Sequence, residues 1–394
     1  MNKSTFFTGQ PIFSQLLKLI PKDILAKIAL AHKADRYCKR FNTYDHLVSL
    51  LYAIFNDCHS LREVVSGMLA SEQRLLHLGV KYPPRRSTLS DANNRRSSGV
   101  FEAVYYSLFK RYAGLLPDSR HRRLYMVDST IISLFQEVLR TGGMPPANGK
   151  RKGGIKVHAM LRSDQDIPCF IRFSEAAAND SPFLKEISLP SGSIVLFDRG
   201  YHDLSSFQRL TDKKITWITR LRKAFAIEVC QDNVVNASQR HIISDQLVWV
   251  GQKARYKILT RLITYRDEAS DKIYEFLTND FKRAPQTIAG LYRKRWQIET
   301  LFKRMKQNYP LRYFLGDTEN AIKIQIWCAM IADFIVNLIK KTTAKRWAFS
   351  NLRVLIRIHL FTYINLKVFL NASEKALLKA FKPENSFNLQ LFKT

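Results

Sequence analysis

The spacing of apolar residues changes period twice along this chain, and any fold it adopts must accommodate both changes. Over residues 12–115 the runs IFSQLLKLI, DILAKIALAHKA, TYDHLVSLLYAIF, SLREVVSGML and VFEAVYYSLFKRYAGLL repeat their apolar residues every three or four positions, the period of an amphipathic helix. From about residue 120 the spacing becomes strand-like, in RLYMVDSTIISLF, IKVHAMLR, CFIRFSE and SIVLFDRGY. ITWITRLR, FAIEVC, LVWVG, YKILTRLITYR and KIYEFLTND continue that pattern to about residue 280. Helical spacing resumes at QTIAGLYRKRWQIETLFKRMKQ and persists to the end. Asp23, Thr43 and Ser60 are placed as helix N-caps, and SDQDIP at 163–168 as the turn of a hairpin. The Gly/Pro-rich basic stretch TGGMPPANGKRKGG at 141–154 reads as a mobile linker or as a loop that touches DNA.

Charge narrows the partners. The 394 residues hold 63 Lys and Arg against 33 Asp and Glu, a net charge of +30 and a pI near 10.0. An excess of this size in a chain with ordinary apolar content calls for a polyanion, and nucleic acid is the commonest. A membrane surface or a ribosome is the other reading. KYPPRRSTLSDANNRRSS at 81–98 reads as a loop whose arginines and hydroxyls either contact phosphate or are simply solvated.

Cys38, Cys58, Cys169, Cys230 and Cys328 form no C-x-x-C pair, and they read as buried thiols of a reducing compartment. The N-terminal stretch MNKSTFFTGQPIF lacks the apolar core of a secretory signal. The most apolar run, 324–339, is short and contains Gln325, Asp333 and Asn337, so it reads as a buried helix and not a membrane span. A cytosolic protein is expected.

Two strand-like runs end in an acid, LYMVD at Asp128 and SIVLFD at Asp198. A carboxylate at the end of a buried strand is costly to desolvate, so it is either paired or functional. Arg199, Gly200 and Tyr201 make a sharp exit that lets Asp198 project at the sheet's edge. The third acid, Glu299, stands alone among Arg293, Lys294, Arg295, Lys303, Arg304 and Lys306. At about 100° per residue on one continuous helix, Tyr292, Arg295, Glu299 and Lys306 fall within an arc of about 60°. Leu291, Ile298, Phe302 and Met305 form an apolar stripe beside them. Arg295 and Glu299, four apart, are also spaced as an ordinary helix ion pair worth a few tenths of a kcal/mol. Three carboxylates in a basic protein suit divalent cations that activate a water or a 3′-hydroxyl at a phosphodiester. Arg295, Lys306 and Tyr292 suit the phosphates around it.

The spacing Tyr292-x2-Arg295-x3-Glu299-x6-Lys306 resembles the Y-R-E-K signature of bacterial DDE transposases of insertion-sequence family four. VDST around Asp128 and FDRGY around Asp198 resemble the first two acids of the same triad, and the likeness covers residues from about 120 to 345. The block at 1–115 resembles a domain of uncharacterised function found in many such transposases.

The resemblance implies an α/β fold: a ribonuclease H-like mixed sheet flanked by helices, interrupted by a mostly β insertion, with an N-terminal all-α domain. The implied segments are a helical DNA-binding domain at 1–117, a catalytic core in two parts at 118–212 and 285–345, the β insertion at 213–284, and a C-terminal helical region at 346–394. Asp128, Asp198 and Glu299 would be the catalytic metal-binding acids, and Tyr292, Arg295 and Lys306 would hold DNA. Mg2+ would be the cofactor, with Mn2+ as a substitute. The partners would be double-stranded DNA, at the element's ends and at the target, and a second copy of the chain, in the bacterial cytoplasm at the nucleoid. The implied reaction is cut-and-paste transposition, with a hairpin intermediate in the better-known relatives. Trp296 and Trp217 read first as core residues, and alternatively as aromatics that stack on a DNA base. A metal-dependent nuclease and a non-catalytic DNA-binding remnant are the alternative functions.

Overall fold

The computed structural model describes residues 9–115, 123–133, 154–163, 165–222, 225–235, 241–252 and 256–372. The stretch at 141–154, apart from Gly154, and the end of the C-terminal region lie outside the described residues. The chain divides into two compact units, Met1–Leu115 with Asn308–Thr394, and Leu116–Gln307.

The first unit is helical. It contains α1 (Ile12–Leu17), α2 (Lys22–Ala31), α3 (Thr43–Asn56), α4 (Leu61–Ala70), α5 (Glu72–Leu78), α6 (Arg86–Arg95) and α7 (Ser98–Tyr112), and later α12 (Glu319–Thr342), α13 (Phe349–Ile358) and α14 (Leu366–Asn371). Helix α12 is its axis and packs against α3, α6, α7 and α13. It is apolar all round because it is buried all round, the composition of a core helix. Of its polar residues, Gln325 donates to the Pro310 and Tyr313 carbonyls, and Asn337 donates to Asp333 while its Oδ1 is left without a partner among the described residues.

Local caps fix several helix starts. Ser60 caps α4 as expected, its hydroxyl accepting from the Glu63 N–H. Thr43 is the first residue of α3, and its neighbour Asn42 is the cap, in a reciprocal box with Asp45. Asp23 lies within the first turn of α2, where it faces the helix's positive end without capping it. The basic stretch at 81–98 is largely helix α6, and not a loop. Its last arginine, Arg96, is buried and donates to the Phe41 carbonyl, so only Arg85, Arg86 and Arg95 of the four face solvent.

The second unit is built on one nine-stranded sheet in the order β3-β2-β1-β4-β5-β9-β8-β7-β6. The strands are β1 (Leu124–Ser133), β2 (Gly154–Arg162), β3 (Pro168–Glu175), β4 (Ile194–Phe197), β5 (Thr216–Arg220), β6 (Ile227–Asp232), β7 (Ile242–Gln252), β8 (Tyr256–Arg266) and β9 (Ile273–Thr278). The first three form an antiparallel meander, with the expected hairpin between β2 and β3. Strand β4 runs parallel to β1, and β5 runs parallel to β4 after the crossover helix α9 (Leu204–Asp212). That order and those directions are the ribonuclease H-like core that the sequence resemblance implied. Beneath it pack Val127, Phe183, Phe197, Phe207, Trp217 and Leu277.

The strands of the expected insertion follow the core strands in the chain and extend the same sheet. Strand β5 falls inside the range assigned to the insertion, yet it is a core strand, and β9 pairs antiparallel with it. Strands β8, β7 and β6 then extend the sheet outward. The reason is burial: Trp217 on β5 is fully buried, stacked on Phe207 at 4.5 Å, with its indole N–H donated to Thr211. The compact units also part the second core segment, since α10 (Pro285–Arg293) and most of α11 (Trp296–Asn308) belong to the sheet's unit and α12 to the helical one. Not all the cysteines are buried: Cys38 and Cys230 are exposed, Cys58 and Cys328 are buried, and all five are free.

Candidate active site

Two adjacent parallel strands carry the first two acids. The register pairs Val127 of β1 with Phe197 of β4, so Asp128 and Asp198 stand one step beyond the same rung. Neighbouring strands lie about 4.8 Å apart, and residues at equivalent steps point to the same face, so the two carboxylates are neighbours. Asp198 leaves its strand for a single helical turn at Arg199–Tyr201, which lifts the chain away and leaves the carboxylate at the end of the sheet.

The third acid arrives through a break in the helix. Arginine 295 is placed at that break, between α10 and α11, and not on a continuous helix as the sequence suggested. The N–H groups of Lys294, Arg295, Gln297 and Ile298 each bond to the carbonyl three residues earlier, a local tightening to 3-10 geometry. No proline or glycine marks the break. What accompanies it is a tertiary contact: one terminal nitrogen of Arg295 donates to Asp128 Oδ2 at 2.9 Å and the other donates to Glu299 Oε1. Asp128 does not end its strand as the apolar run suggested, since β1 continues to Ser133 in register with β2, so Arg295 bridges the middle of β1 to the first turn of α11, and it is itself buried.

Satisfaction is incomplete here. Asp198 Oδ1, the Tyr292 hydroxyl and Arg295 Nε are buried with no hydrogen-bond partner among the described residues. Buried polar atoms are nearly always paired, so three orphans in one place indicate a missing ion, water or ligand. Burial pushes the Asp128 carboxyl up to about 6; the charge of Arg295 and the Ser129 N–H oppose that rise, while Asp198 and Glu299 add to it. Crowding of like charge is what a divalent cation would relieve. The donor set of three carboxylates fits a hard cation such as Mg2+ or Mn2+. As the side chains stand, with Arg295 between Asp128 and Glu299, no three acidic, His or Cys side chains among the described residues are grouped to share one ion.

The structure gathers Asp128, Asp198, Tyr292, Arg295 and Glu299. Tyr292 lies at the end of α10, its ring 4.9 Å from that of Phe276 and 5.7 Å from the Arg295 guanidinium. Lys306 is exposed on α11, seven residues after Glu299 and therefore on the same helix face, and it makes no ion pair among the described residues. Trp217 is core, as first expected. Trp296 is not: it is 65% exposed at the start of α11. Sequence reasoning missed Ser129, whose N–H donates to Asp128 Oδ1 at 2.8 Å, and Asp180, which receives the Ser129 hydroxyl. Asp180 follows no strand-like run and has no spacing to the other acids, so it left no signal.

Comparison with known proteins gives the family of the chain. The family described as Transposase DDE domain matches residues 119–334, more than half of the chain, and a domain of unknown function matches residues 8–81. A protein of Sinorhizobium fredii named as transposase y4zB is 32% identical over 63% of this chain and 70% of its own length. A Synechocystis protein named as the transposase for insertion sequence element IS4SA is 26% identical over 64% of this chain and 71% of its own. A solved structure of piggyBac transposase in a synaptic complex with hairpin DNA aligns with 93% of this chain and 82% of that one at 12% identity. Its TM-score of 0.44 is too low to establish a common fold.

Proposed function

Since the chain belongs to the transposase DDE domain family, and is therefore an insertion-sequence transposase that acts on DNA with that family's dependence on divalent metal, we propose that Asp128, Asp198 and Glu299 are its catalytic acids. The observation that carries this reading is the buried, partnerless Asp198 Oδ1 beside the Asp128 carboxylate on the neighbouring strand. Mg2+, with Mn2+ as a substitute, is the ion that these three side chains would hold. Such a cation, when bound, favours ionisation of an attacking water or 3′-hydroxyl and stabilises the leaving oxygen of a phosphodiester.

The chain's own groups do the rest. Arg295 leaves the acids and moves onto a DNA phosphate, a carboxylate-for-phosphate exchange that its planar fork suits. The Tyr292 hydroxyl, buried without a partner, becomes available to the same backbone, and Lys306 supplies a point charge further along the face. The substrates are double-stranded element ends and a target duplex, and the reaction is cleavage followed by strand transfer, with a hairpin at the cut end as an expected intermediate. Two ends have to be held together, which calls for a homodimer on DNA in the bacterial cytoplasm.

The test is end-labelled DNA from the borders of the element, incubated with Mg2+ or Mn2+ and either the wild-type chain or Glu299→Gln. Cleavage at the border by the wild type, lost on adding EDTA and absent from a variant that still binds the DNA, is the expected result. Equal cleavage by the variant would remove Glu299 from the triad.

A further inference from the structure

Beside Asp128 on β1 and Asp198 after β4 lies a partly buried polar cluster that the reaction as described does not use. Its hub is Asp180, in the segment between β3 and α8 (Pro182–Glu186). Asp180 Oδ1 accepts from the Ser129 hydroxyl at 3.0 Å and pairs with Lys156 Nζ at 3.1 Å, and His158 Nδ1 lies 3.7 Å away. Lys156, on β2, is itself buried and donates also to the Ala178 carbonyl. His158 stands opposite Ser129 in the β1–β2 register. Its Nε2 is 2.8 Å from the Ser174 hydroxyl and its Nδ1 3.4 Å from that of Tyr201. The second carboxylate oxygen of Asp180 lies against Gly200, where any side chain would meet it at 2.9 Å.

Asp180 therefore touches the chain one residue after Asp128 and two residues after Asp198. The Ser129 whose hydroxyl it receives is the residue whose N–H bonds to Asp128. A Lys–Asp pair with a buried lysine and a half-buried aspartate is a weak source of stability, because desolvation offsets much of its attraction. Fixing the direction of ligating carboxylates is what such outer contacts do at metal sites.

We propose that Asp180 is a positioning residue that holds the middle of β1, at Ser129, and the turn after β4, at Gly200, at the separation the metal-binding acids require. This rests on the assignment of Asp128 and Asp198 to the metal. Asp180 contacts neither ion nor DNA in this role; Lys156 and His158 anchor it, and glycine at 200 leaves room for its carboxylate at the turn after Asp198.

The experiment uses the full chain with element-end DNA and two readouts. One is Mn2+ affinity, from the loss of the free-ion electron paramagnetic resonance signal; the other is amide hydrogen exchange at Ser129 and Gly200. Asp180→Ala is expected to weaken Mn2+ binding by about tenfold or more and to speed exchange at both amides, while DNA binding is kept. Asp180→Asn, whose amide oxygen still accepts from Ser129, should fall between the two, and it carries the comparison should the alanine variant fail to fold. A folded Asp180→Ala with wild-type Mn2+ affinity and unchanged exchange would overturn the proposal. Should Asp128→Asn bind Mn2+ as the wild type does, the assignment of the acids fails instead, and exchange at Ser129 and Gly200 alone then decides for or against Asp180.

Discussion

Two buried arginines of the sheet's unit look alike in a sequence and differ in what surrounds them. Arg261, on β8, gives Nε and one terminal nitrogen to Asp245 at 2.8 and 2.6 Å, and the other terminal nitrogen to the carbonyls of Asp280 and Arg283. Arg295 gives its two terminal nitrogens to two different acids and leaves Nε without a partner. Burial alone would raise the Asp245 carboxyl, but the bonds from Arg261 and Asn233 outweigh it and hold it below its usual range. At Asp128 burial wins, and the carboxyl sits at about 6. The closed network serves the sheet extension. The open one retains unmet capacity for a ligand, and unmet capacity is costly unless something uses it.

The largest expected difference is in stability. Arg261→Met leaves a buried carboxylate without its cation and should cost about 3–5 kcal/mol in denaturant unfolding. Arg295→Met should cost less than half of that, because Asp128 can take up a proton and Glu299 is partly solvated. The same variant should nevertheless lose DNA cleavage while it stays folded. Equal losses of stability would erase the distinction between the two networks.

Next in size is the response to pH, where the two aspartates should move oppositely. A carboxyl held above its unfolded value opposes folding as pH rises, here between about 4 and 6, and the full cost stands above that window. Asp128→Asn should therefore be more stable than the wild type at pH 7, by at most about 3 kcal/mol. Asp245 has the opposite sign: its contribution is present above the ordinary carboxylate range and is lost as pH falls through its lowered value. Asp245→Asn should be less stable than the wild type at pH 7, with the gap closing in acid. Thermal melts of both variants between pH 3 and 7 give the signs directly.

The smallest effect separates two surface lysines. Lys306 has no ion-pair partner among the described residues, and Lys257 in the extension is paired with Glu228. Lys306→Ala should reduce the slope of log affinity for DNA against log salt by about 0.9, the contribution of one phosphate contact. Lys257→Ala should leave that slope where it is. A slope that responds equally to both would place the DNA elsewhere on the unit.

Much of the fold was legible because it is written in short-range pattern. The helical block, the β2–β3 hairpin and the core nature of 324–339 follow from apolar period and turn chemistry, which act within a few residues. The pairing of β5 with β4 was not legible, because a strand's sheet membership depends on its neighbours: TWITR reads the same whether β5 pairs with β4 or with a separate insertion. The helix break before Trp296 was invisible for a related reason, since KRW contains no breaker and the break coincides with a bond from Arg295 to a residue 167 positions away.

By itself the sequence determined the chemical types and their order: a basic chain, three acids placed after two apolar strands and on one helix, and a four-residue spacing around Glu299. Tertiary structure alone decided that Arg295 bridges two of those acids, that Arg96 is structural while Trp296 is exposed, and that Asp180 stands beside both Ser129 and Gly200. Local pattern sets what a segment can bury, because propensity and period are properties of neighbouring residues. Which carboxylate meets which cation is set by packing between distant segments, and no spacing along the chain encodes it.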